Sequence, residues 1–438
     1  MKRYPAYKDS GVEWIDQIPN NWLIIPFRRV IEFLTDFEAN GSFSSLSENV
    51  VDDFDNKFAW FVRATDLENK SYLTFQGCRY INQDSYQFLS KTKLFGEELL
   101  IAKRGEIGKI YQMPNLGIKA SLAPNLYLLR LFKDKMSPSF AYYYFISDIG
   151  HSHLTASNKS TTIGALYKED CKKLEIIYPP LFDQYNISDY LNHKTRQIDD
   201  LIDKKQKLID LLKEERTAII DHAVTKGLDP TVPMKDSGIE WLGEIPEHWF
   251  VDRLKYLVDN IIEKSNTSGF KVALENIESW TGRYLKTESP SELTGEMKSF
   301  KPNDVLFNKL RPYLAKVYLS EFEGECVGEL LVLRPQANIN PKFLYYRLLS
   351  HDFIEVVNSS TYGSKMPRAS WEDFIRNLII PYPDILEQEM IVENIEKMSV
   401  NIERTIIKLV HEIDLISEYK TSLINEAVTG KIKVSDAD

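Results

Sequence analysis

The chain states one pattern twice. Lys8-Asp9-Ser10-Gly11-Val12-Glu13-Trp14 returns as Lys235-Asp236-Ser237-Gly238-Ile239-Glu240-Trp241, and Ile18-Pro19 and Trp22 return as Ile245-Pro246 and Trp249. A second echo closes each copy. Tyr178-Pro179 and Gln184 match Tyr382-Pro383 and Gln388, and Ala223-Val224-Thr225 matches Ala427-Val428-Thr429. The openings recur at an offset of 227 and the closings at 204, so the middles differ in length as well as in sequence. Two fixed ends around a divergent middle describe one scaffold that presents two different surfaces.

With 438 residues, each half is long enough to bury its own core. No apolar run is long enough to suggest a membrane span, and Met1-Lys2-Arg3-Tyr4-Pro5 carries no apolar signal core, so a cytoplasmic location is expected. Cys78, Cys171 and Cys326 are odd in number and far apart, which indicates neither a disulfide framework nor a zinc site. His151-Ser152-His153 reads as a solvated loop rather than a metal pair. The net charge of −10 argues against a uniformly basic nucleic-acid binder and leaves room for local basic faces.

Each half reads as a mixed α+β region followed by a long helix. From Gln184 to about Thr225 there is no Pro or Gly, and Leu191, Ile198, Leu201, Leu208, Leu212 and Ile219 suggest a heptad seam. Ile395, Ile402, Ile406, Ile413, Ile416 and Leu423 do the same between about Glu387 and Thr429. Gly227 and Gly430 are stop signals. Helices of about 40 residues make rods of roughly 60 Å, and two such stripes most simply pack on each other. The expected segments are a globular region over 1–180, a helix over 181–228, a second globular region over 229–383, and a second helix with a tail over 384–438. Leu99–Lys103 and Ala123–Arg130 read as buried strands, as do Val305–Lys309 and Gly328–Arg334. The helices begun by Ser139-Phe140-Ala141-Tyr142-Tyr143 and Lys342-Phe343-Leu344-Tyr345-Tyr346 carry aromatics expected in the core. A curved, largely antiparallel sheet is expected in each half.

Catalytic signatures are scarce. There is no GxGxxG, Walker A loop or GxSxG. Tyr178-Pro179-Pro180-Leu181 lacks the Asp or Asn of an amino-methyltransferase loop and reads as a joint between domain and helix. Glu68-Asn69-Lys70 with Asp66 is a fragment of a metal-dependent nuclease pattern, a tripeptide common by chance.

Basic residues cluster locally. Lys298, Lys301, Lys309, Arg311 and Lys316 lie in one stretch whose acid is Asp304. Lys103, Arg104, Lys109 and Lys119 lie around Gly105 and Gly108, diluted by Glu97, Glu98 and Glu106. Lys365 and Arg368 lie beside Gly363 and Pro367 in an expected loop, and Arg63 and Arg283 are further candidates. For each, solvated surface is the plain alternative to contact with nucleic acid. Basic side chains on turns reach phosphates, and Arg can read base edges.

The duplicated openings, the Pro and Gln entry to each long helix and the Ala-Val-Thr ends together resemble the specificity subunit of Type I restriction–modification systems, over essentially the whole chain. The resemblance implies two target-recognition domains, each followed by a helix, with the helices paired as an antiparallel coiled coil. It implies that each domain reads half of a bipartite double-stranded DNA target, and that the coiled coil sets the unread spacer. It implies assembly with two modification subunits and with restriction subunits. S-adenosylmethionine, ATP and magnesium would belong to those partners, with no cofactor and no catalysis in this chain. Two rival readings remain, a magnesium-dependent nuclease built on Glu68-Asn69-Lys70 and a scaffold that meets only proteins.

Overall fold

The computed structural model describes residues 2–12, 14–104, 107–156, 166–264, 270–286 and 297–434. Glu13 of the first opening and Gly105 and Glu106 of the first basic stretch lie outside them. The chain divides into two units: residues 1–204 with 412–438, and residues 205–411.

Both units are built on the same four-stranded antiparallel sheet. In the first, Leu126–Leu131 lies between Ile31–Asp36 and Leu99–Ala102, and Leu99–Ala102 also pairs with Ile110–Gln112. In the second, Leu330–Pro335 lies between Val258–Ile261 and Val305–Asn308, which also pairs with Val317–Leu319. Unbroken apolar runs follow from burial on both faces. Leu99 and Ile101 enter one core of the first unit while Leu100 and Ala102 enter another. Val305 and Phe307 are likewise separated from Leu306 in the second unit. A second sheet, four-stranded in the first unit and three-stranded in the second, contributes a parallel pair, Ala120–Leu122 with Ala59–Val62 and Gly324–Val327 with Phe270–Val272. The sheets are thus largely antiparallel, as expected.

The helices Pro138–Ile146 and Pro341–Leu349 pack Phe140, Tyr143 and Phe343 into these cores, while Tyr142, Tyr345 and Tyr346 are half-buried. Ser137 and Asn340 cap them. The repeated glutamine explains itself here. Gln184, fully buried, accepts from the Ser137 N–H at 2.9 Å and donates to the carbonyls of Pro179 and Lys135. Gln388, also fully buried, accepts from the Asn340 N–H at 2.7 Å and donates to those of Pro383 and Asn338. One amide side chain thereby ties a capping residue to the start of the long helix, satisfying three backbone groups.

The long helices are Leu181–Lys226 and Ile385–Val428. The repeated tryptophan secures their first turns: Trp22 Nε1 donates to Asp183 at 3.1 Å, and Trp249 Nε1 donates to Glu387 at 3.0 Å. Trp22 also packs on Gly430, beyond the end of the second helix, where φ is +74° and a Cβ would meet Pro19 at 2.6 Å. Trp249 sits beside Gly227, beyond the end of the first. Farther along, Asp199 pairs with Lys420 at 2.6 Å in the first unit, and Arg216 lies 3.9 Å from Glu403 in the second. In each unit, then, the start of one helix meets the end of the other, and the pairing is antiparallel.

The seam differs from expectation in the first helix. Leu201 and Leu208 are each 44% exposed; Ile202 and Ile209 take the inward places. The inward residues follow Leu191, Thr195, Ile198, Ile202, Lys205, Ile209, Leu212, Arg216 and Ile219, alternating steps of four and three. Thr195, Lys205 and Arg216 occupy inward positions, so hydrophobicity alone traces a false register. In the second helix, Ile395, Ile402 and Leu423 are buried and Ile406, Ile413 and Ile416 half-buried, as the stripe predicts.

Candidate nucleic-acid interface

In the second unit, the loop after Val305–Asn308 and the turn 362–368 form one edge. Asn308, 1% exposed, holds the loop from below: its Oδ1 accepts from the Leu310 N–H at 2.9 Å and its Nδ2 donates to the Leu310 carbonyl at 2.6 Å. The Ala369 N–H donates to the Lys309 carbonyl and the Arg311 N–H to that of Pro367. Tyr362 and Arg368 exchange backbone hydrogen bonds, so the intervening residues form a closed turn, with Gly363 at φ +90°. Arg368 is clamped on Glu329, with Nη2 at 2.8 Å. The Arg368 hydrogen bond holds the Glu329 carboxyl below its ordinary range, against the opposing effect of burial.

This edge brings together Lys309, Arg311, Lys365 and Arg368. Arg311 and Lys365 are exposed, and Arg311 Nη2 donates to the Lys365 carbonyl at 3.3 Å. Lys298 lies near Lys309 but is largely sequestered, with Nζ on the Leu330 carbonyl at 2.8 Å; burial and then the Lys309 charge push its pKa down. Lys316 is spent on the Leu274 carbonyl at 2.6 Å, and burial lowers its pKa. Lys301 is exposed at a separate turn, where its N–H donates to Asp304. Arg283 pairs with Glu278 and with Glu403 of the second long helix, the latter at 2.5 Å. Sequence reasoning overlooked Tyr313, Tyr362 and Met366, which stand on the edge 46%, 63% and 49% exposed. The available signal was large apolar surface beside Pro312, Gly363 and Pro367, residues that belong to turns.

The first unit has the matching edge. The Lys103 N–H donates to the Asn125 carbonyl and the Leu166 N–H donates to the Lys103 carbonyl, as Lys309 does with Glu329 and Ala369. Residues 157–165, which precede Leu166, lie outside the described residues. The basic residues expected to cluster here are dispersed. Lys103 is 8% exposed, its ammonium on Glu38 and, at 3.3 Å, on Asp36. Lys109 pairs with Glu68. Lys119 immediately precedes the strand Ala120–Leu122 of the second sheet, its ammonium 3.9 Å from the centroid of the Phe58 ring. Arg63 forks onto Asp66, with Nη2 at 2.6 Å, and donates to the Gly77 carbonyl. Arg104 is exposed.

The nuclease fragment has other duties. Asp66, 2% exposed, accepts from Trp60 Nε1 and the Arg63 guanidinium, and Glu68 is held by Lys109. His151 and His153 lie on the helix Asp148–Ala156 and not in a loop, and the half-buried His153 packs on Trp14 with ring centroids 4.0 Å apart and planes tilted by 50°. Among the described residues, no group of three His, Cys, Asp or Glu is arranged to hold a metal ion, and no helix is long and apolar enough to cross a membrane.

Residues 37–211 match the family model of the Type I restriction modification DNA specificity domain. The chain is 22% identical over 268 residues to the Type I restriction enzyme EcoDI specificity subunit of Escherichia coli, covering 56% of this chain and 59% of that protein. It is 26% identical over 364 residues to the MjaVIII specificity subunit of Methanocaldococcus jannaschii, covering 77% and 79%. A chain solved in a study of complex assembly and conformational transition of the type I R-M system superposes with a TM-score of 0.69 at 14% identity, covering 95% of this chain and 99% of that one.

Proposed function

Since this chain belongs to the specificity-subunit family of Type I restriction–modification systems, we propose that it is the DNA-reading subunit of such a complex, each globular domain reading one half of a bipartite double-stranded target. The observation that carries this reading is the contrast within one repeated scaffold. The sheet, the buried glutamine and the tryptophan lock recur in both units, while the edge loops carry unlike residues. A protein that must read two different half-sites with two copies of one fold needs such a division of labour.

On this reading, the repeated openings and helix ends dock two modification subunits, and restriction subunits join that assembly in the cytoplasm. S-adenosylmethionine serves the modification subunits, and ATP and magnesium the restriction subunits; this chain supplies no catalysis. The length of the long helices sets the unread spacer, and roughly 60 Å of helix exceeds the 34 Å or so of one DNA turn.

The test is a domain exchange. Replacing residues 30–175 with the equivalent segment of another family member, and mapping methylation in cells that carry the modification partner, should change one half of the methylated sequence. A change in both halves, or in neither, would overturn the modular reading. Incubating the purified chain alone with magnesium and plasmid DNA tests the nuclease alternative, and cleavage would decide for it.

A further inference from the structure

We propose that Arg311 is a base-reading residue of the second domain, directed at a guanine, with Tyr362 and Met366 as apolar contacts to neighbouring bases and Lys365 as a phosphate anchor. The inference rests on the DNA-reading function proposed above and assigns its residues.

The backbone is the first argument. Arg311 adopts the left-handed conformation, φ 53° and ψ 63°, and Ala315 does the same at φ 46° and ψ 49°, bracketing the single turn Pro312–Leu314. Each non-glycine residue held there costs on the order of 1–2 kcal/mol. Such strain persists only where its surroundings over-determine it, and here they do. Asn308 fixes Leu310, the Pro367 carbonyl takes the Arg311 N–H, and Arg368 is locked on Glu329. The loop is therefore preorganised to present one side chain, which lowers the ordering cost of binding.

Charge is the second argument. Arg216, Arg283, Arg334, Arg347, Arg368 and Arg376 of the same unit each pair with a carboxylate, whereas Arg253 and Arg404, like Arg311, form no ion pair among the described residues. Among the described residues Arg311 has no carboxylate partner; its hydrogen bond goes to the Lys365 carbonyl and engages one guanidinium nitrogen. The stretches 309–316 and 359–369 contain no acid at all, in a chain of net charge −10. A guanidinium with donors to spare, exposed beside a lysine, fits the O6 and N7 acceptors of guanine in the major groove. Lysine offers a single flexible ammonium in place of that planar fork, so it holds the two acceptors less selectively.

The apolar neighbours are the third argument. Tyr313, Tyr362 and Met366 crowd one small edge, 46%, 63% and 49% exposed, a concentration that a merely solvated turn does not need. Beside a base-reading arginine, Tyr362 and Met366 supply contact to base faces and thymine methyl groups.

The experiment uses the full chain with its modification subunits, selecting from a library of randomised duplexes at several salt concentrations. Arg311→Ala and Arg311→Lys should both relax one base position in one half of the selected target, with discrimination falling by roughly tenfold to a hundredfold. Arg311→Lys should keep the wild-type salt slope. Lys365→Ala should weaken all sequences evenly and reduce the salt slope by about one. Matching thermal midpoints exclude misfolding, because Arg311→Lys removes no buried contact. If Arg311→Lys leaves the selected sequence unchanged, or Arg311→Ala weakens every sequence alike, Arg311 is not a base reader. Replacing residues 229–383 wholesale separates the two levels: an unaltered target after that exchange defeats the DNA-reading function itself, whereas an altered half-site with a silent Arg311 defeats only this assignment.

Discussion

Lys103 and Lys309 occupy the same place in the two units, and their backbones make the same two hydrogen bonds. Their side chains have opposite fates. Lys103 is folded down onto Asp36 and Glu38, 8% exposed. Lys309 is half-buried beside Lys298 and Glu329, at the root of a loop that lifts Arg311 into solvent. A common sheet therefore fixes where an edge residue sits without fixing what its charge does. That depends on residues from other segments, and those lie in the divergent middles. The seams behave the other way: Gln184 and Gln388, and Trp22 and Trp249, make near-identical contacts.

The sharpest test of a shared seam is its register. Ile209 is 3% exposed and Leu208 44% exposed, though both are large and adjacent. Ile209→Ala should destabilise by roughly 2–5 kcal/mol and Leu208→Ala by less than about 0.5. Urea unfolding of the two variants measures the gap; equal costs would restore the register that hydrophobicity alone suggests. Next in size are the glutamines. Gln184→Ala and Gln388→Ala each leave the N–H of a capping residue and two carbonyls without their partner, a loss of about 1–3 kcal/mol. Closely matched losses support one scaffold used twice, and a large difference breaks the comparison at its best-conserved contact.

The glycines that end the long helices differ by a smaller margin. Both have positive φ, +80° at Gly227 and +74° at Gly430, so alanine is strained at either. At Gly227 the nearest atom to a new Cβ is the Glu387 carboxylate at 3.4 Å, the end of a flexible side chain. At Gly430 it is the Pro19 ring at 2.6 Å, with Trp22 at 3.0 Å behind it. Gly430→Ala should therefore cost about 1 kcal/mol more than Gly227→Ala, read as a lower thermal midpoint. A reversed order would mean that Pro19 and Trp22 move more freely than their burial implies.

Much of the frame was legible in the sequence because it rests on local patterns. Strands buried on both faces leave unbroken apolar runs such as Leu99-Leu100-Ile101-Ala102, and helices free of Pro and Gly announce themselves. Register was not, since Thr195, Lys205 and Arg216 stand at inward positions that hydrophobicity does not mark. The candidate site was legible only in part. Arg311 and Lys365 are visible as charges, but nothing near Lys103 in the chain reveals that Asp36 and Glu38 reach back to it. Nor does sequence reveal that Lys316 and Lys298 spend their ammonium groups on backbone carbonyls, or that Tyr362 faces solvent. Ion pairs across dozens of residues are properties of the fold.

The smallest predicted effect returns to the two edges through pH. Burial raises the pKa of Asp36, but the Lys168 hydrogen bond and the Lys103 and Lys168 charges outweigh it, so the carboxyl lies below its ordinary value. A carboxylate depressed in the folded state contributes stability that is complete above its unfolded pKa, near 3.9, and is lost as pH falls through the folded value. The window is therefore below about pH 4, and Asp36→Asn should flatten the fall of the thermal midpoint there. Glu329 is depressed for the same kind of reason, with Arg368 as the partner, so Glu329→Gln should flatten it too. Asp36 holds two ammonium groups and its side chain is 14% exposed, whereas Glu329 holds one guanidinium and is 29% exposed. Water and salt screen the more open pair more strongly, so the Asp36 variant should show the larger effect. Equal flattening would mean that the two edges differ in what they display and not in how firmly their charges are held.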